Sequence, residues 1–474
     1  MSRTVGIASL VWGVSILLSR VLGLLREAVV GRVLGVGGEA DTFFVAFVIP
    51  DFLNYLLAGG VLSIVFIPIF QAHLARGDAA GGWRAFSYIA NFLIALLLIA
   101  TAAAWLLTPW LAPIVAPGLD APQRAELVTL VRIILPAQIF HLVGGLLAAT
   151  LMARDEHRLP ALAPLIYALG VIAGGVLLGP WIGARGFCWG VLVGSALGPF
   201  GLPLWGALRR GDLRWTLGFS FRNADFRAYL WRTLPVMLGF SVVAVDDWIV
   251  KREASSLAAG AIARLQYART LMKVPMGVFG LAAGVAAYPT LTRLVAEGRS
   301  AEMFATLLRA LRLMVVLAAV AGAALTAAAT DVATVIWGAR RFTPEDLSAI
   351  GALTGWFCLG LWAWSAQMLV ARGFYAQGNT WLPTLSGSAL AVLLFPLYGL
   401  LADRFGPVGL TWASSAAISS YLLLLLWLLR RSVAGAPGVA GAPGVAGAPG
   451  VGGLLWVLAR VLAAALGGGL LGLQ

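Results

Sequence analysis

Residues 19–27 read SRVLGLLRE, and they place Arg20, Arg26 and Glu27 inside an apolar run that is long enough to cross a membrane. A spanning helix needs about 20 mostly apolar residues. A charge at the centre of a bilayer costs at least ~2.5–3.5 kcal/mol on insertion scales, so such side chains normally face a protein interior or a wet cavity. The role of these charges therefore decides how the chain is interpreted.

The composition is that of a polytopic membrane protein. Of the 474 residues, 61% are hydrophobic and only 11% are charged, and the mean hydropathy is +0.92. Soluble globular chains are about half apolar and about a quarter charged. The net charge of +13 could suggest nucleic-acid binding. The basic residues lie in short loops between apolar runs, however, and that pattern indicates membrane topology, with no nucleic acid as a partner.

The apolar runs predict about thirteen helices. The expected spans are 5–30, 40–70, 86–107, 127–152, 159–178, 187–208, 229–257, 262–294, 308–337, 347–370, 381–401, 408–429 and 454–473. The first run follows Arg3 and lacks a small-residue cleavage site, so we interpret it as a retained helix.

The distribution of arginines predicts the orientation. Alternate loops on one side hold seventeen arginines, and those on the other side hold six. The six are Arg32, Arg124, Arg185, Arg340, Arg341 and Arg404. Because cytoplasmic loops are enriched in Lys and Arg, this bias predicts a cytoplasmic amino terminus in the bacterial inner membrane.

The order of spans predicts two lobes. Six helices (1–208) precede a basic cytoplasmic linker (209–228), and six more (229–431) follow it. An even number of helices per half gives parallel repeats. A Gly/Pro/Ala/Val-rich linker (432–453) then leads to a hydrophobic segment (454–474), which either spans as a thirteenth helix, re-enters the membrane or lies on it. Spans two and eight carry internal Pro and Gly, as broken transporter helices do.

Charges inside the predicted spans concentrate on the first two helices of each half. They are Arg20, Arg26, Glu27, Asp41, Asp51, Asp246, Asp247, Lys251, Arg252, Glu253, Arg264, Arg269 and Lys273. Lobes that face each other across these helices would enclose one polar, partly cationic cavity that suits an anionic substrate. Plainer alternatives are that Arg26 extends to the outer interface, or that Asp246 and Asp247 pair with Lys251 and Arg252 merely to lock helices.

The sequence offers little for an enzyme. His73, His141 and His157 lack metal-ligand spacing, and Cys188 and Cys358 are expected to be buried thiols without a disulfide. No phosphate-binding glycine loop with a following Lys-Ser/Thr occurs in the sequence. No cofactor and no metal are expected.

Several motifs resemble the MurJ/MviN family of lipid II flippases in the MOP exporter superfamily. They are SRVLGLLREAVVGRVLG (19–35), ADTFFVAFVIPDFL (40–53), FIPIF (66–70), LMKVPMGVFGLAAGVAAYPTLTRL (271–294) and GFYAQGNTWLPT (373–384). The resemblance covers about residues 2–431. It implies fourteen helices, two six-helix MATE-like lobes around a central cationic cavity, alternating access, and an undecaprenyl-pyrophosphate-linked substrate. It also implies that Arg20, Arg26 and Asp41 match functional positions of the family.

The sequence departs from the family pattern in several respects. On helix two, Asn54-Tyr55 stands where the family usually has an arginine pair, and Ala58-Gly59-Gly60 where it usually has Ala-Glu-Gly. On helix eight, Arg269 is displaced by one position, and Lys273 stands where an acidic residue often appears. The apolar runs predict no fourteenth helix. We hypothesise that Arg269 and Lys273, four residues apart on one helix, replace the charge lost at 54 and 55, with a facing carboxylate such as Asp41 or Asp51 between them.

The predicted function is outward translocation of lipid II. Predicted substrate-binding residues are Arg20, Arg26, Asp41, Lys251, Arg269 and Lys273, and predicted ion-coupling residues are Asp246 and Asp247. Expected partners are membrane lipids, a sodium ion unless the membrane potential alone drives transport, and proteins of cell-wall synthesis. Two alternatives stay open: a flippase for another lipid-linked oligosaccharide, of exopolysaccharide or O-antigen type, and a non-transporting scaffold of cell-wall assembly.

Overall fold

The structure is a computed structural model that describes residues 3–58, 61–211, 213–218, 220–238, 242–278, 282–338 and 341–434. Contacts divide the chain into two compact units, Met1–Phe240 and Ser241–Gln474. The regular structure of the described residues is helical, with no strand among them. The predicted all-α class is therefore confirmed.

The first unit consists of twelve helices and a short π-helical turn (Ala196–Gly201) among its described residues. The helices are α1 (Arg3–Leu34), α2 (Gly38–Val45), α3 (Val48–Ala58), α4 (Val61–Ala75), α5 (Ala79–Val115), α6 (Ala121–Ile134), α7 (Ala137–Met152), α8 (Arg158–Leu177), α9 (Gly179–Ile182), α10 (Ala184–Ser195), α11 (Leu202–Arg209) and α12 (Ala224–Leu238).

The second unit has seven described helices. They are α13 (Val242–Ala254), α14 (Ala261–Met276), α15 (Ala282–Ala296), α16 (Ser300–Trp337), α17 (Pro344–Cys358), α18 (Leu361–Ala376) and α19 (Trp381–Ala434). α19 contains a sharp break at Gly406, whose φ of 58° and ψ of −140° are not helical. The predicted spans 381–401 and 408–429 lie on either side of that break.

Helix starts follow from capping residues in the sequence. The Asp120 and Gln123 side chains form a capping box at the start of α6, and Thr343 and Asp346 form one at α17. Asp78 caps α5 by accepting a hydrogen bond from the Gly81 N–H at 2.8 Å. That bond, with a second from His73, holds the pKa of the Asp78 carboxyl below its usual value.

Six helical segments of the described residues are long and apolar enough to cross a membrane, or seven if the bent pair α17–α18 counts as one span. They are Ala79–Val115, Ala121–Met152, Arg158–Leu177, Ala184–Arg209, Ser300–Trp337 and Trp381–Ala434. These spans expose large apolar side chains, among them Ile99 and Trp110 on α5, at 69% and 68%. Extended apolar surface of this kind is stable against lipid and not against water. The chain is a multi-pass membrane protein.

Two of the remaining predicted spans are covered by parts of several helices in the described residues, whereas α1 alone covers the predicted span 5–30. The region 40–70 consists of parts of α2, α3 and α4, with a turn at residues 46 and 47 between α2 and α3. The described residues of the region 262–294 are 262–278 and 282–294, and they include parts of α14 and α15. Both spans carry internal Pro and Gly, and Pro68, Pro275 and Pro289 lie inside helices of the structure. The long spans number six or seven among the described residues, and α19 alone covers two of the thirteen predicted spans.

The basic linker packs on the first unit. α12 contacts α3, α4 and α5, and Phe226 and Tyr229 of α12 belong to the aromatic and aliphatic core of that unit. The contact-based boundary at Phe240 therefore lies twelve residues beyond the predicted linker end at 228. The two-lobe boundaries themselves stay predictions. Of the predicted carboxyl-terminal linker (432–453), only residues 432–434 are described, as the end of α19, and the last hydrophobic segment (454–474) lies outside the described residues.

Candidate substrate and ion-coupling site

A cluster of charged side chains lies inside the second unit, where α13 meets α14 and α19. α13 supplies Asp246 and Asp247, of which Asp246 is buried. One turn later on the same helix, Lys251 Nζ lies 2.6 Å from Asp247 Oδ2, and the lysine is also buried. This contact is the i,i+4 pairing considered in the sequence analysis.

Arg269 of α14 connects the two aspartates. Its side chain is only 3% exposed. Arg269 Nη1 donates a hydrogen bond to Asp247 Oδ1 at 3.1 Å, and Nη2 lies 2.8 Å from Asp246 Oδ2, an ion pair without a hydrogen-bonding angle. A planar guanidinium can contact two acceptors at once, whereas an ammonium is a point charge. Arginine therefore fits this bridging position.

α19 and two aromatic rings complete the surroundings of the cluster. The Tyr398 hydroxyl donates a hydrogen bond to Asp246 Oδ1 at 2.5 Å, and Arg269 Nη2 donates one to Ser414 Oγ at 3.4 Å. The Arg269 guanidinium carbon lies 5.0 Å from the ring centre of Phe357 and 6.0 Å from that of Trp364. Cation–π attraction of this kind strengthens where water is excluded.

The four charges of this cluster balance. Asp246 and Asp247 contribute two negative charges, and Lys251 and Arg269 contribute two positive ones. Lys273, one turn beyond Arg269 on α14, also acts electrostatically on the Asp247 carboxylate. Within the second unit, Asp247 of α13 acts electrostatically with both Arg269 and Lys273. That Asp41 or Asp51 also faces these two cations stays a prediction.

Two small cavities adjoin the cluster. One is lined by Asp246 and Tyr398 with the apolar residues Ile249, Leu390, Ala391 and Ala417. The other is lined by Asp247, Lys251, Gln266 and Arg269 with Val250, Ile262 and Leu265. Both carboxylates therefore border on space that a small ion or a water molecule could enter.

The first unit holds a second, smaller group of charges. Arg26 Nη2 of α1 lies 2.7 Å from Glu27 Oε1, and the two side chains are 32% and 8% exposed. Asp51 of α3 and Tyr167 of α8 are close enough to act electrostatically on the guanidinium. The arginine is therefore held within the unit with part of its surface open.

The structure describes the side chain of Asp41 but not that of Arg20. Asp41 lies in the first turn of α2 and is 4% exposed. Arg20 lies on α1, and its side chain is outside the described residues. The structure brings Asp246, Asp247, Lys251 and Arg269 together in the second unit, with Lys273 nearby. A single cavity shared with Arg20, Arg26 and Asp41 stays a prediction.

Sequence reasoning missed Tyr398 and Ser414. Both lie in apolar runs of α19, where a lone hydroxyl reads as an ordinary buried polar residue. A buried tyrosine hydroxyl needs a partner, and that requirement was the available signal. The partner, Asp246, is 152 residues away in sequence, so no local pattern could identify it.

Histidines and cysteines do not form a metal site in the described part of the chain. No group of three or more His, Cys, Asp and Glu side chains there could hold a metal ion. His73 lies between Asp78 and Asp225, at 3.0 and 2.9 Å, and His141 contacts Ser195 Oγ at 3.0 Å. Cys188 and Cys358 are free, the first buried and the second partly buried.

The fold resembles that of solved transporters of the MOP superfamily. It resembles the solved structure "Lipid II flippase MurJ, inward closed conformation", with a TM-score of 0.77, 19% identity, and 96% of this chain and 92% of the other covered. An inward-facing multidrug-resistance MATE transporter of the MOP superfamily matches with a TM-score of 0.71 and 13% identity, over 88% of this chain and 94% of the other. At these identities the likeness concerns the fold alone.

The sequence comparisons define the family. Residues 30–468 match the family described as "Lipid II flippase MurJ". The lipid II flippase MurJ of Burkholderia cenocepacia is 28% identical over 429 residues, which is 88% of this chain and 82% of the relative. The probable lipid II flippase MurJ of Haemophilus influenzae is 27% identical over 86% of this chain and 83% of the relative. The chain belongs to the MurJ family.

Proposed function

We propose that this chain moves lipid II, an undecaprenyl-pyrophosphate-linked peptidoglycan precursor, from the cytoplasmic to the periplasmic leaflet by alternating access. The observation that carries the proposal is the family match over residues 30–468. The MATE-like fold supports it, because multidrug-resistance MATE transporters of the MOP superfamily have been solved in inward-facing and in outward-facing conformations. The family and its relatives favour lipid II over another lipid-linked oligosaccharide and over a scaffold without transport.

The proposed substrate contacts are Arg20, Arg26 and Asp41 in the first lobe and Lys251, Arg269 and Lys273 in the second. A pyrophosphate is recognised best by guanidinium groups, which form paired, charge-assisted hydrogen bonds with its oxygens. Arg26 supports this role because it is 32% exposed and already beside a carboxylate that can hold it between cycles. Arg269 is ion-paired in the described state, so substrate would have to compete with Asp246 and Asp247 for it.

That competition suggests how an ion is coupled to transport. We assign Asp246 and Asp247 as the ion-coupling carboxylates. When Arg269 turns toward an anionic substrate, the two aspartates lose a cation inside a low-dielectric site, and a buried charge without its partner is costly. A sodium ion in the adjoining cavities would restore the balance. Such exchange would link substrate and ion without covalent chemistry.

The proposed location is the inner membrane with a cytoplasmic amino terminus. The support is the excess of arginines, seventeen against six, on one set of alternate loops. With this orientation the basic linker 209–228 lies on the cytoplasmic side. Lipid II made in the cytoplasm would then enter from the side that carries the linker.

Complementation tests the proposal. The full chain is expressed in a bacterium depleted of its own lipid II flippase, and growth and membrane insertion are measured together. Rescue of growth is the expected result. A protein that inserts at normal level and leaves the cells to lyse would contradict lipid II as the substrate.

A further inference from the structure

Part of the basic linker forms a strap, residues 213–218 and 220–223, that is fixed along α5. The Asn91 side chain of α5 donates hydrogen bonds to the carbonyls of Thr216 at 2.7 Å and Gly218 at 2.8 Å. The Trp215 indole N–H donates one to Asn91 Oδ1 at 2.8 Å, and the Thr216 N–H donates one to Ser87 Oγ at 3.1 Å. The strap therefore has a defined position on the first unit.

The length of α5 allows its amino-terminal turns, beside which the strap lies, to extend out of the membrane core. α5 has 37 residues, which at 1.5 Å per residue is about 55 Å. The hydrocarbon core is only about 30 Å thick, so part of the helix extends beyond it. The amino-terminal turns of α5, which hold Arg84, Ser87 and Asn91, are the more polar end. The strap lies beside those turns.

The outer surface of the strap combines cations with an apolar side chain. Arg214 and Arg222 are exposed, as is Arg227 immediately after the strap on α12. Leu217 is 94% exposed at the middle of the strap. The one described carboxylate of residues 213–227 is Asp225, which contacts His73 Nε2 at 2.9 Å and is 33% exposed. The described outer surface therefore carries positive charge without an acidic neighbour from the strap itself.

We propose that the strap is a binding surface for anionic phospholipid headgroups, with Arg214, Arg222 and Arg227 contacting the phosphates and Leu217 entering the acyl boundary. Juxtamembrane arginines are attracted to anionic lipid, and arginine forms bidentate bonds to phosphate oxygens. An acidic protein would match the charge as well. A fully exposed leucine between the arginines fits the apolar boundary of a bilayer better than a charged protein surface.

Lipid selectivity tests the proposal directly. The purified full chain is reconstituted in vesicles of phosphatidylcholine and phosphatidylglycerol, and the preference for spin-labelled phosphatidylglycerol over phosphatidylcholine at the protein surface is measured by electron paramagnetic resonance. In the variant Arg214→Gln/Arg222→Gln/Arg227→Gln, the ratio of phosphatidylglycerol to phosphatidylcholine binding is expected to fall at least about fivefold. Fivefold is the change that corresponds to the loss of one arginine near an anionic surface.

A matched triple variant is the control. Arg293→Gln/Arg299→Gln/Arg309→Gln removes the same charge from exposed positions, of which Arg293 and Arg299 face Glu297. This variant is expected to keep the preference of the original chain. If the strap variant keeps it as well, or if the control loses as much, the strap does not bind anionic lipid.

Depth at residue 217 gives a second, independent readout. A nitroxide is attached at Leu217→Cys in a Cys188→Ala/Cys358→Ala background, and its collisions with oxygen and with a water-soluble nickel chelate are compared. A label at the acyl boundary meets oxygen more often than nickel, and this is the expected result. A label attached at Glu297→Cys is the water-exposed reference. If the label at residue 217 collides with the nickel chelate as often as this reference does, the proposal is overturned. Neither measurement depends on transport, so failure here is separate from failure of the proposed flippase function.

Discussion

Arg269 shows most clearly why charged residues are tolerated inside this chain. Its guanidinium is 3% exposed and contacts two carboxylates, a serine hydroxyl and two aromatic rings. Removing such a group from water is costly, and only good geometry with several partners offsets that cost. Removing one charged partner should therefore lower the stability of the protein more than removing two opposite charges together.

The first prediction concerns that cluster. Arg269→Gln removes the cation that contacts both Asp246 and Asp247, leaving Lys251 and the nearby Lys273, and should lower the free energy of unfolding by about 3–5 kcal/mol. Adding Asp246→Asn should recover part of that stability because one negative charge is removed together with the positive one, and transport should stay lost. Thermal unfolding in detergent and growth complementation measure the two effects. An Arg269→Gln protein as stable as the original would contradict the paired-charge account.

The second prediction concerns Arg26. Arg26→Ala should abolish complementation while the protein still inserts, because a pyrophosphate loses a cation in a low-dielectric site. Arg26→Lys should complement poorly if the contact to the anion is bidentate. Arg293→Ala, which removes a 69% exposed arginine, is the control and should complement fully. Normal growth with both Arg26 variants would contradict a role in substrate binding and would favour the alternative that Arg26 extends to the outer membrane interface.

At the level of elements, the sequence predicts where helices begin, end or break better than it predicts which helices pack together. Pro and Gly in 40–70 predict a broken helix, and a turn at residues 46 and 47 separates α2 from α3 there. For 262–294 a broken helix stays a prediction, because residues 279–281 lie outside the described residues. The partners of Arg269 could not be found in this way, because the register between α13 and α14 is set by packing and not by either segment alone. The attachment of α12 to the first unit, through Phe226 and Tyr229, was missed for the same reason.

α8 and α10 pack closely together, and the regular spacing of glycines in their sequences is consistent with this contact. Gly170 and Gly174 on α8 face Gly186, Gly190 and Gly194 on α10, and a Cβ added at Gly190 would lie 2.6 Å from the Gly170 carbonyl oxygen. Small residues four apart allow membrane helices to approach closely. The contact therefore depends on the absence of side chains.

The third prediction follows from that contact. Gly190→Ala should lower the free energy of unfolding by about 1–3 kcal/mol, because the backbone atoms it meets cannot move aside as a flexible side chain would. Gly23→Ala is the control, since a Cβ there meets nothing within 4 Å, and it should leave stability unchanged or slightly raised. Equal unfolding midpoints for the two variants in detergent would show that α8 and α10 are less tightly packed than described.

For the whole molecule, composition and arginine distribution are sufficient to predict a polytopic all-α chain, and the order of the motifs in the sequence indicates the MurJ family. The described residues confirm the class and the MOP-type fold. Sequence could not say which charges share a cavity, since that depends on packing between segments hundreds of residues apart. Orientation in the membrane is a further property that the fold does not fix.

The fourth prediction is topological. A reporter fused after Arg222 should be cytoplasmic, and one fused within residues 343–346, at the start of α17, should be periplasmic, because the arginine bias places these loops on opposite sides. Fusions that report by enzyme activity on one side only, together with cysteine labelling in intact cells, measure this. The opposite result at both sites would remove the basis for outward transport.

The leaflet distribution of lipid II tests the central claim most directly. In cells depleted of their own flippase, lipid II remains on the cytoplasmic face, and its fraction accessible to an external, membrane-impermeant reagent is measured before and after this chain is expressed. The account predicts that the original chain restores the accessible fraction and that Arg26→Ala, inserted at the same level, does not. An accessible fraction that stays at the depleted value with the original chain correctly inserted would contradict the claim that this protein translocates lipid II.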